Sequence, residues 1–262
     1  MALTAQDLAR VAAAEASQLR MHRLQRMSHY QLRALLTGDP LEAAAWVTSA
    51  AEHGLPAAQL RLGRMLLDGC GIDRDPARAL YWFRRAAEQL DAEAMNMVGR
   101  CYENGWGIAV DITLAAHWYR QSALRGHNWG QYNFGNMLFD GLGVGQDTER
   151  AVLWYASAAR QRNSRAMNLI GRCCEEGWGC RRNLVAAFDW YRRSAQAGYF
   201  RGQFNFAVLL CEHGFESQAA DWFFAAASSG TSELRRAISS LLRQARHPAL
   251  AAVRIRLEGI AG

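Results

Sequence analysis

"AMNMVGRCYENGWG" at residues 94–107 returns as "AMNLIGRCCEEGWG" at residues 166–179. The interval is 72 residues, and the same pattern also returns at half of it. Gly63, Gly99, Gly135 and Gly171 stand 36 residues apart, and so do Trp82, Trp118, Trp154 and Trp190. The pairs Gly69/Gly71, Gly105/Gly107, Gly141/Gly143 and Gly177/Gly179 keep that step, followed by Asp75, Asp111, Asp147 and Asn183. Trp46 fits one step upstream. Trp222 fits one step downstream once four loop residues are deleted. An active site needs no second copy. A unit that stacks on copies of itself does, and a period of about 20–50 residues marks a solenoid or array.

Each period reads as two helices. In 93–104, Ala94, Met97, Val98, Cys101 and Tyr102 recur at helical spacing. The turn "NGWGI" follows, and a second helix starts at Asp111, a good N-cap. Its apolar face holds Ala115, Trp118, Tyr119, Ser122 and Ala123, and Gly126, Gly198 and Gly230 supply stops. The Gly63-type residue falls mid-helix, where glycine costs roughly 1 kcal/mol against alanine. That cost is tolerable where two helices approach closely, and the recurring Trp is expected to fill the space beside it. One helical pair cannot bury its own apolar faces, so its neighbours complete the core.

These residues resemble the Sel-1-like repeat, a relative of the tetratricopeptide repeat. The clearest copy is "GQYNFGNMLFDGLGVGQDTERAVLWYASAARQ" at 130–161. The resemblance implies an all-α, right-handed superhelical α/α solenoid of about five to six repeats with helical caps. The expected layout is an N-terminal cap with a degenerate first repeat at 1–57, repeats at 58–93, 94–129, 130–165, 166–201 and 202–233, and a C-terminal cap at 234–262. The end units depart from the pattern. Unit 22–57 has Met27 for the glycine, and unit 202–233 has Ala207 and a shortened loop. Segment 4–37 reads as helix, and 232–257 as one or two helices interrupted near Pro248. Repeats also alternate in type: two share "AMN(M/L)(V/I)GRC", and two share "GQ(Y/F)NF".

Composition narrows the function. Half of the 262 residues are hydrophobic, which suffices for a sizeable core. No run of about 18 apolar residues occurs, so no membrane span is expected. The first twenty residues carry Asp7, Arg10 and Glu15, which does not read as a signal peptide, and a cytoplasmic protein is the default. All 30 basic residues are Arg, so no lysine nucleophile or phosphate-loop lysine is available. The Gly-x-Gly turns follow helices rather than strands and read as turns, not phosphate cradles. Six Cys fit free thiols at core positions, with no zinc-ligand spacing. Seven scattered His and the lack of a nucleophile elbow give no catalytic constellation. No enzyme activity and no cofactor are expected.

Positive charge collects at the two ends, and the repeat body is slightly acidic. A solenoid tracking nucleic acid should be basic along its groove, which argues against an RNA-binding repeat. A stripe on the first helices carries more information, because positions at i, i+3, i+7 and i+11 share a face. It runs through Arg64 and Asp68, then Glu93, Asn96, Arg100 and Asn104. Trp129, Tyr132, Asn136 and Asp140 follow, and Arg165, Asn168, Arg172 and Glu176 close it. In related repeats this face lines the concave groove. Two readings stay open. The stripe is either a solvated face with Arg64–Asp68 and Arg172–Glu176 ion pairs, or a peptide groove. In the second reading Arg64, Asn96, Arg100, Asn104, Trp129, Tyr132, Asn136, Asn168, Arg172 and Glu176 hold the ligand. Arg84, on a second helix, is expected on the opposite side. The expected function is a protein–protein adaptor or scaffold, monomeric or weakly dimeric. Its partner would carry acidic groups or a terminal carboxylate. The alternative is an accessory subunit of an enzyme or of an envelope or iron-uptake system.

Overall fold

The computed structural model describes residues 4–260, all helix, turn and loop with no strand among them. The chain forms two compact units that divide after residue 130, inside one helix. The first unit holds α1 (Ala5–Leu24), α2 (His29–Thr37) and α3 (Pro40–Glu52), then the hairpins α4 (Pro56–Asp68) with α5 (Pro76–Glu88) and α6 (Ala92–Asn104) with α7 (Ile112–Leu124). Helix α8 (Asn128–Asp140) spans the division. The second unit continues with α9 (Thr148–Arg160), α10 (Ser164–Glu176) and α11 (Leu184–Gln196), α12 (Phe200–Glu212) and α13 (Glu216–Ser229), α14 (Ser232–Leu241) and α15 (Pro248–Ile260). From α3 to α12 every helix has 13 residues, so hairpin legs match and the 36-residue step holds.

Local chemistry sets these boundaries. The side chains of Asp75, Asp111, Asp147 and Asn183 each accept the backbone N–H three residues on, starting the second helices. Asp91 and Asn163 do the same for α6 and α10. Each loop then closes onto its own first helix: the Asn183 N–H reaches the Cys174 carbonyl at 2.7 Å. At Gly71, Gly107 and Gly179 the second glycine of the pair is required twice over. Gly179 has φ +65°, and a Cβ there would lie 2.2 Å from the Thr148 carbonyl oxygen in the first turn of α9. Gly107 meets Pro76 of α5 in the same way.

The core corrects one expectation. The side chains beside the mid-helix glycines are Phe83, Tyr119, Tyr155 and Tyr191, one residue after each Trp. A Cβ on Gly63, Gly99, Gly135 or Gly171 would come within 2.4–2.7 Å of those rings. The four rings are fully buried, whereas Trp82, Trp118, Trp154 and Trp190 are half-buried. One residue turns a helix by about 100°, which moves the Trp to the flank of the apolar stripe. There it packs edge-on, as Trp154 does against Phe134 with centroids 5.7 Å apart.

The alternation of repeats has a packing cause. Ser122 and Ser194 end their second helices with hydroxyls donated to the carbonyls of Ala92 and Ser164, at 2.6 and 2.7 Å. The next first helices bring Gly130 and Gly202 against those serines, where a Cβ would sit 2.2 Å from each hydroxyl. In the other repeats Ala86 and Ala158 replace the serine, and Ala94 and Ala166 replace the glycine. The buried residue after this position alternates too. Gln59, Gln131 and Gln203 alternate with Met95 and Met167. Gln59 accepts from Gln89 at 2.9 Å, so the polar member stays satisfied.

The ends differ from the sequence expectation. Residues 4–37 are two helices rather than one. Met27 lies in the turn between them instead of mid-helix, so the first hairpin keeps only the short α2 as its first leg. Gly230 ends α13 in extended rather than left-handed backbone, at φ −90°. Pro248 opens α15 as its first residue, and the break near it is as expected. The shortened α12–α13 loop leaves the start of α11 beside an open hollow, with Val185 exposed and Phe188 packed on Phe206.

Candidate interaction site

The stripe residues of the first unit stand on α4, α6 and the first turn of α8. Arg64 forms an ion pair with Glu93 of the next first helix, not with Asp68. It also borders an apolar hollow of about 530 Å³ walled by Leu24, Leu36, Trp46 and Leu60. Asn96 is buried. The Arg100 guanidinium lies 4.8 Å from the centre of the Trp106 ring, and the Asn104 amide donates to the Arg100 carbonyl at 2.9 Å. Trp129, on α8, is 40% exposed. Arg84 is not a surface residue of the opposite side: it is half-buried and donates to the Tyr102 hydroxyl of α6.

In the second unit four of the stripe residues meet. Tyr132, Asn168 and Arg172 border one hollow of about 320 Å³, together with Arg165. Its wall is completed by Tyr199, Arg201, Phe204 and Asn205 at the start of α12, with Glu175, Tyr191, Leu169 and Leu234. Asn136 points to the core instead, where it accepts the Tyr155 hydroxyl at 2.9 Å. Glu176 borders the hollow at the start of α11 rather than this one, and Arg172 leans on Trp178 at 5.3 Å instead of pairing with Glu176.

Two missed residues were within reach of the sequence. Arg201 and Phe204 stand one 36-residue step beyond Arg165 and Asn168, so extending the stripe by one repeat finds them. Tyr191 carried no such signal. It arrives from a second helix, through the gap that Gly171 leaves in α10.

The electrostatics of the hollow are one-sided. Three guanidinium groups face it, against the single carboxylate of Glu175. Glu175 already accepts the Tyr191 hydroxyl at 2.6 Å. Burial, reinforced by that carboxylate, raises the Tyr191 hydroxyl far above the usual tyrosine range. Burial also raises Tyr199, although Arg201 and Arg165 pull the other way. Both phenols are therefore neutral hydrogen-bonding groups at neutral pH. Arg165 lies 5.8 Å from the Tyr199 ring centre, which steadies the guanidinium over an aromatic face. The buried Asn168 accepts from Asn205 at 2.9 Å. Such a surface can hold an anion beside a planar or apolar group. Among the described residues no group of His, Cys, Asp and Glu could hold a metal ion, and no helix is long and apolar enough to cross a membrane.

The chain matches the family model for the Sel1 repeat five times, at residues 26–55, 56–89, 92–127, 130–163 and 164–199. A search of curated proteins finds no match. Among solved structures, a Sel1 repeat protein from Oxalobacter formigenes is 26% identical. The alignment covers 87% of this chain and 96% of that one, with a TM-score of 0.78. A protective antigen present in uropathogenic Escherichia coli strains, displaying an SLR fold, is 24% identical with a TM-score of 0.70. It covers 98% of this chain but only 55% of the antigen. An immunity protein from Pseudomonas aeruginosa shares the fold at 16% identity and a TM-score of 0.53, over 78% of this chain and 80% of that one. Sel1 repeats are in general protein-interaction modules. With five matched repeats and the glycine–ring hairpins that produce them, the chain belongs to the Sel1 repeat family.

Proposed function

We propose that the protein is an adaptor or scaffold that binds a protein partner through the faces of its first helices. The supporting observation is the hollow of the second unit. Tyr132, Arg165, Asn168, Arg172, Arg201, Phe204 and Asn205 converge there from three successive first helices. Arginine and aromatic side chains at the centre of a concave patch are the residue types that dominate protein interfaces. The positive balance favours a partner with acidic groups or a terminal carboxylate, which a guanidinium can meet with two parallel hydrogen bonds. In the first unit Arg64, Arg100 and Asn104, with Asn96 behind them and Trp129 beyond, extend the same reading as secondary contacts. A slightly acidic repeat body disfavours RNA as the partner.

The test is affinity capture from the native host at moderate salt, followed by Arg172→Ala and Arg100→Ala. Arg172→Ala should weaken capture of the recovered partner about tenfold or more, and Arg100→Ala less, with the thermal melt unchanged in both. Arg192→Ala, on second helix α11 and exposed, should leave capture intact. Loss of binding in Arg192→Ala alone would place the interface elsewhere.

A further inference from the structure

We infer that the hollow of the second unit receives a phosphorylated side chain of the partner. The inference rests on the adaptor reading and names the chemistry that this site would select.

Charge comes first. Arg165, Arg172 and Arg201 border a space of about 320 Å³, and its one carboxylate, Glu175, is already engaged by Tyr191. Glu175 keeps its charge under that hydrogen bond, so the lining is about two charges positive, and a single carboxylate ligand would offset only half of it. A phosphomonoester carries about −1.5 to −2 at pH 7 and offers three strong acceptor oxygens. Preorganisation comes second. Each guanidinium lies against a ring: Arg165 over Tyr199, Arg172 over Trp178 and Arg201 over Phe200. Among the described residues neither Arg172 nor Arg201 has an acidic group within ion-pair distance. Planar forks held in this way lose little freedom on binding an anion. Size and lining come third. The volume is at the lower end of the range for ligand pockets, about 300 Å³, which suits one side chain rather than a length of peptide. Tyr199 and Phe204 give that side chain an aromatic wall, and an aryl stem fits it best.

The test uses fluorescent, doubly capped pentapeptides with phosphotyrosine, tyrosine or glutamate between alanines, titrated against the full chain. The phosphotyrosine peptide should bind at least tenfold more tightly than either twin. Arg172→Ala and Arg201→Ala should each cost it tenfold or more, with melts unchanged. Arg172→Lys should recover only part of the loss, since it restores charge without the fork. Phenyl phosphate should displace the peptide at lower concentration than inorganic phosphate. Equal binding of the three peptides, or indifference to both alanine variants, overturns the inference. Equal displacement by inorganic phosphate overturns it too, because the occupant is then a free anion. A captured partner that needs Arg172 but survives phosphatase treatment overturns this inference and leaves the adaptor reading standing. Capture that ignores Arg172 removes the adaptor reading at this face.

Discussion

The Tyr191 hydroxyl donates a 2.6 Å hydrogen bond to Glu175, and 72 residues upstream Tyr119 donates to Glu103 at 2.5 Å. The repeat between them breaks the pattern because Phe139 stands at the glutamate position, and Tyr155 turns to Asn136. Where Leu67 takes that position, the ring is Phe83 and no hydroxyl needs a partner. Ring and partner therefore vary together. Tyr191→Phe should destabilise the fold by about 1.5–3 kcal/mol in urea unfolding, the range for a hydrogen bond to a charged group. Adding Glu175→Leu, which reproduces the Leu67–Phe83 pairing, should recover part of that loss. Strict additivity of the two changes would mean the pair is not coupled.

Truncating the ring beside the glycine should be the most damaging core change. Tyr119→Ala is expected to cost about 3–5 kcal/mol, and Trp118→Ala, half-buried, about 1–2. Gly99→Ala should cost about 1–3 kcal/mol, since its Cβ would lie 2.7 Å from the Tyr119 ring. A larger loss for Trp118→Ala than for Tyr119→Ala in chemical denaturation would reverse the assignment of the core.

Leu90 and Arg162 hold left-handed backbone, at φ 67° and 62°, one repeat step from Gly54, Gly126 and Gly198, which hold it freely. Outside glycine that conformation costs about 1–2 kcal/mol, and Leu90 is 62% exposed and gives up little packing. Leu90→Gly and Arg162→Gly should each stabilise the protein by about 0.5–1 kcal/mol, after the entropy of glycine in the unfolded chain is subtracted. A lower melting temperature for both would show that the side chains contribute more than their exposure suggests.

All six cysteines are free thiols. Burial pushes Cys101 and Cys173 up to about 12 and Cys174 up to about 11. Each is higher than the unfolded value of about 8.5, so their contribution is complete below that pH and is lost as pH rises toward 11–12. Melting temperature should fall steadily across pH 9–11. At pH 8 a thiol reagent should label the exposed Cys70 first, and the three buried thiols only as fast as the protein opens. A disulfide found by mass spectrometry without reductant would contradict the free-thiol assignment.

The fold was legible in the sequence because its period is written in residues that no other conformation needs. Gly179 must be glycine for its φ and for its approach to Thr148, and Asn183 must cap α11, so loop, cap and step recur together. What pattern reading misplaced depends on one helical residue of rotation. Trp118 and Tyr119 are both aromatic, and only the backbone shows which one faces Gly99. The candidate site was half legible for a related reason. Arg172 and Asn168 lie on a first-helix stripe that has a period. Tyr191 enters from the second helix, and Asn136 leaves the stripe because Tyr155 needs an acceptor, which a one-helix pattern does not record.

The 72-residue alternation itself is open to test at Ser194 and Gly202. The serine hydroxyl bonds the Ser164 carbonyl, and the glycine makes room for it, since a Cβ would stand 2.2 Å from the hydroxyl and 2.6 Å from the serine Cβ. Gly202→Ala alone forces the two helices apart and should cost about 1–3 kcal/mol. Ser194→Ala alone removes the hydroxyl's hydrogen bond to the Ser164 carbonyl, which costs about 1 kcal/mol. The double variant recreates the pairing that Ala158 and Ala166 already use. It removes the closer of the two clashes while keeping the Cβ contact, so it should be more stable than the sum of the single changes predicts, by about 0.5–2 kcal/mol. The opposite sign in the double-mutant cycle would show that Ser194 and Gly202 are matched for some reason other than volume. A coupling near zero would mean that the helices already separate freely, and then packing would not explain why the repeats come in two kinds.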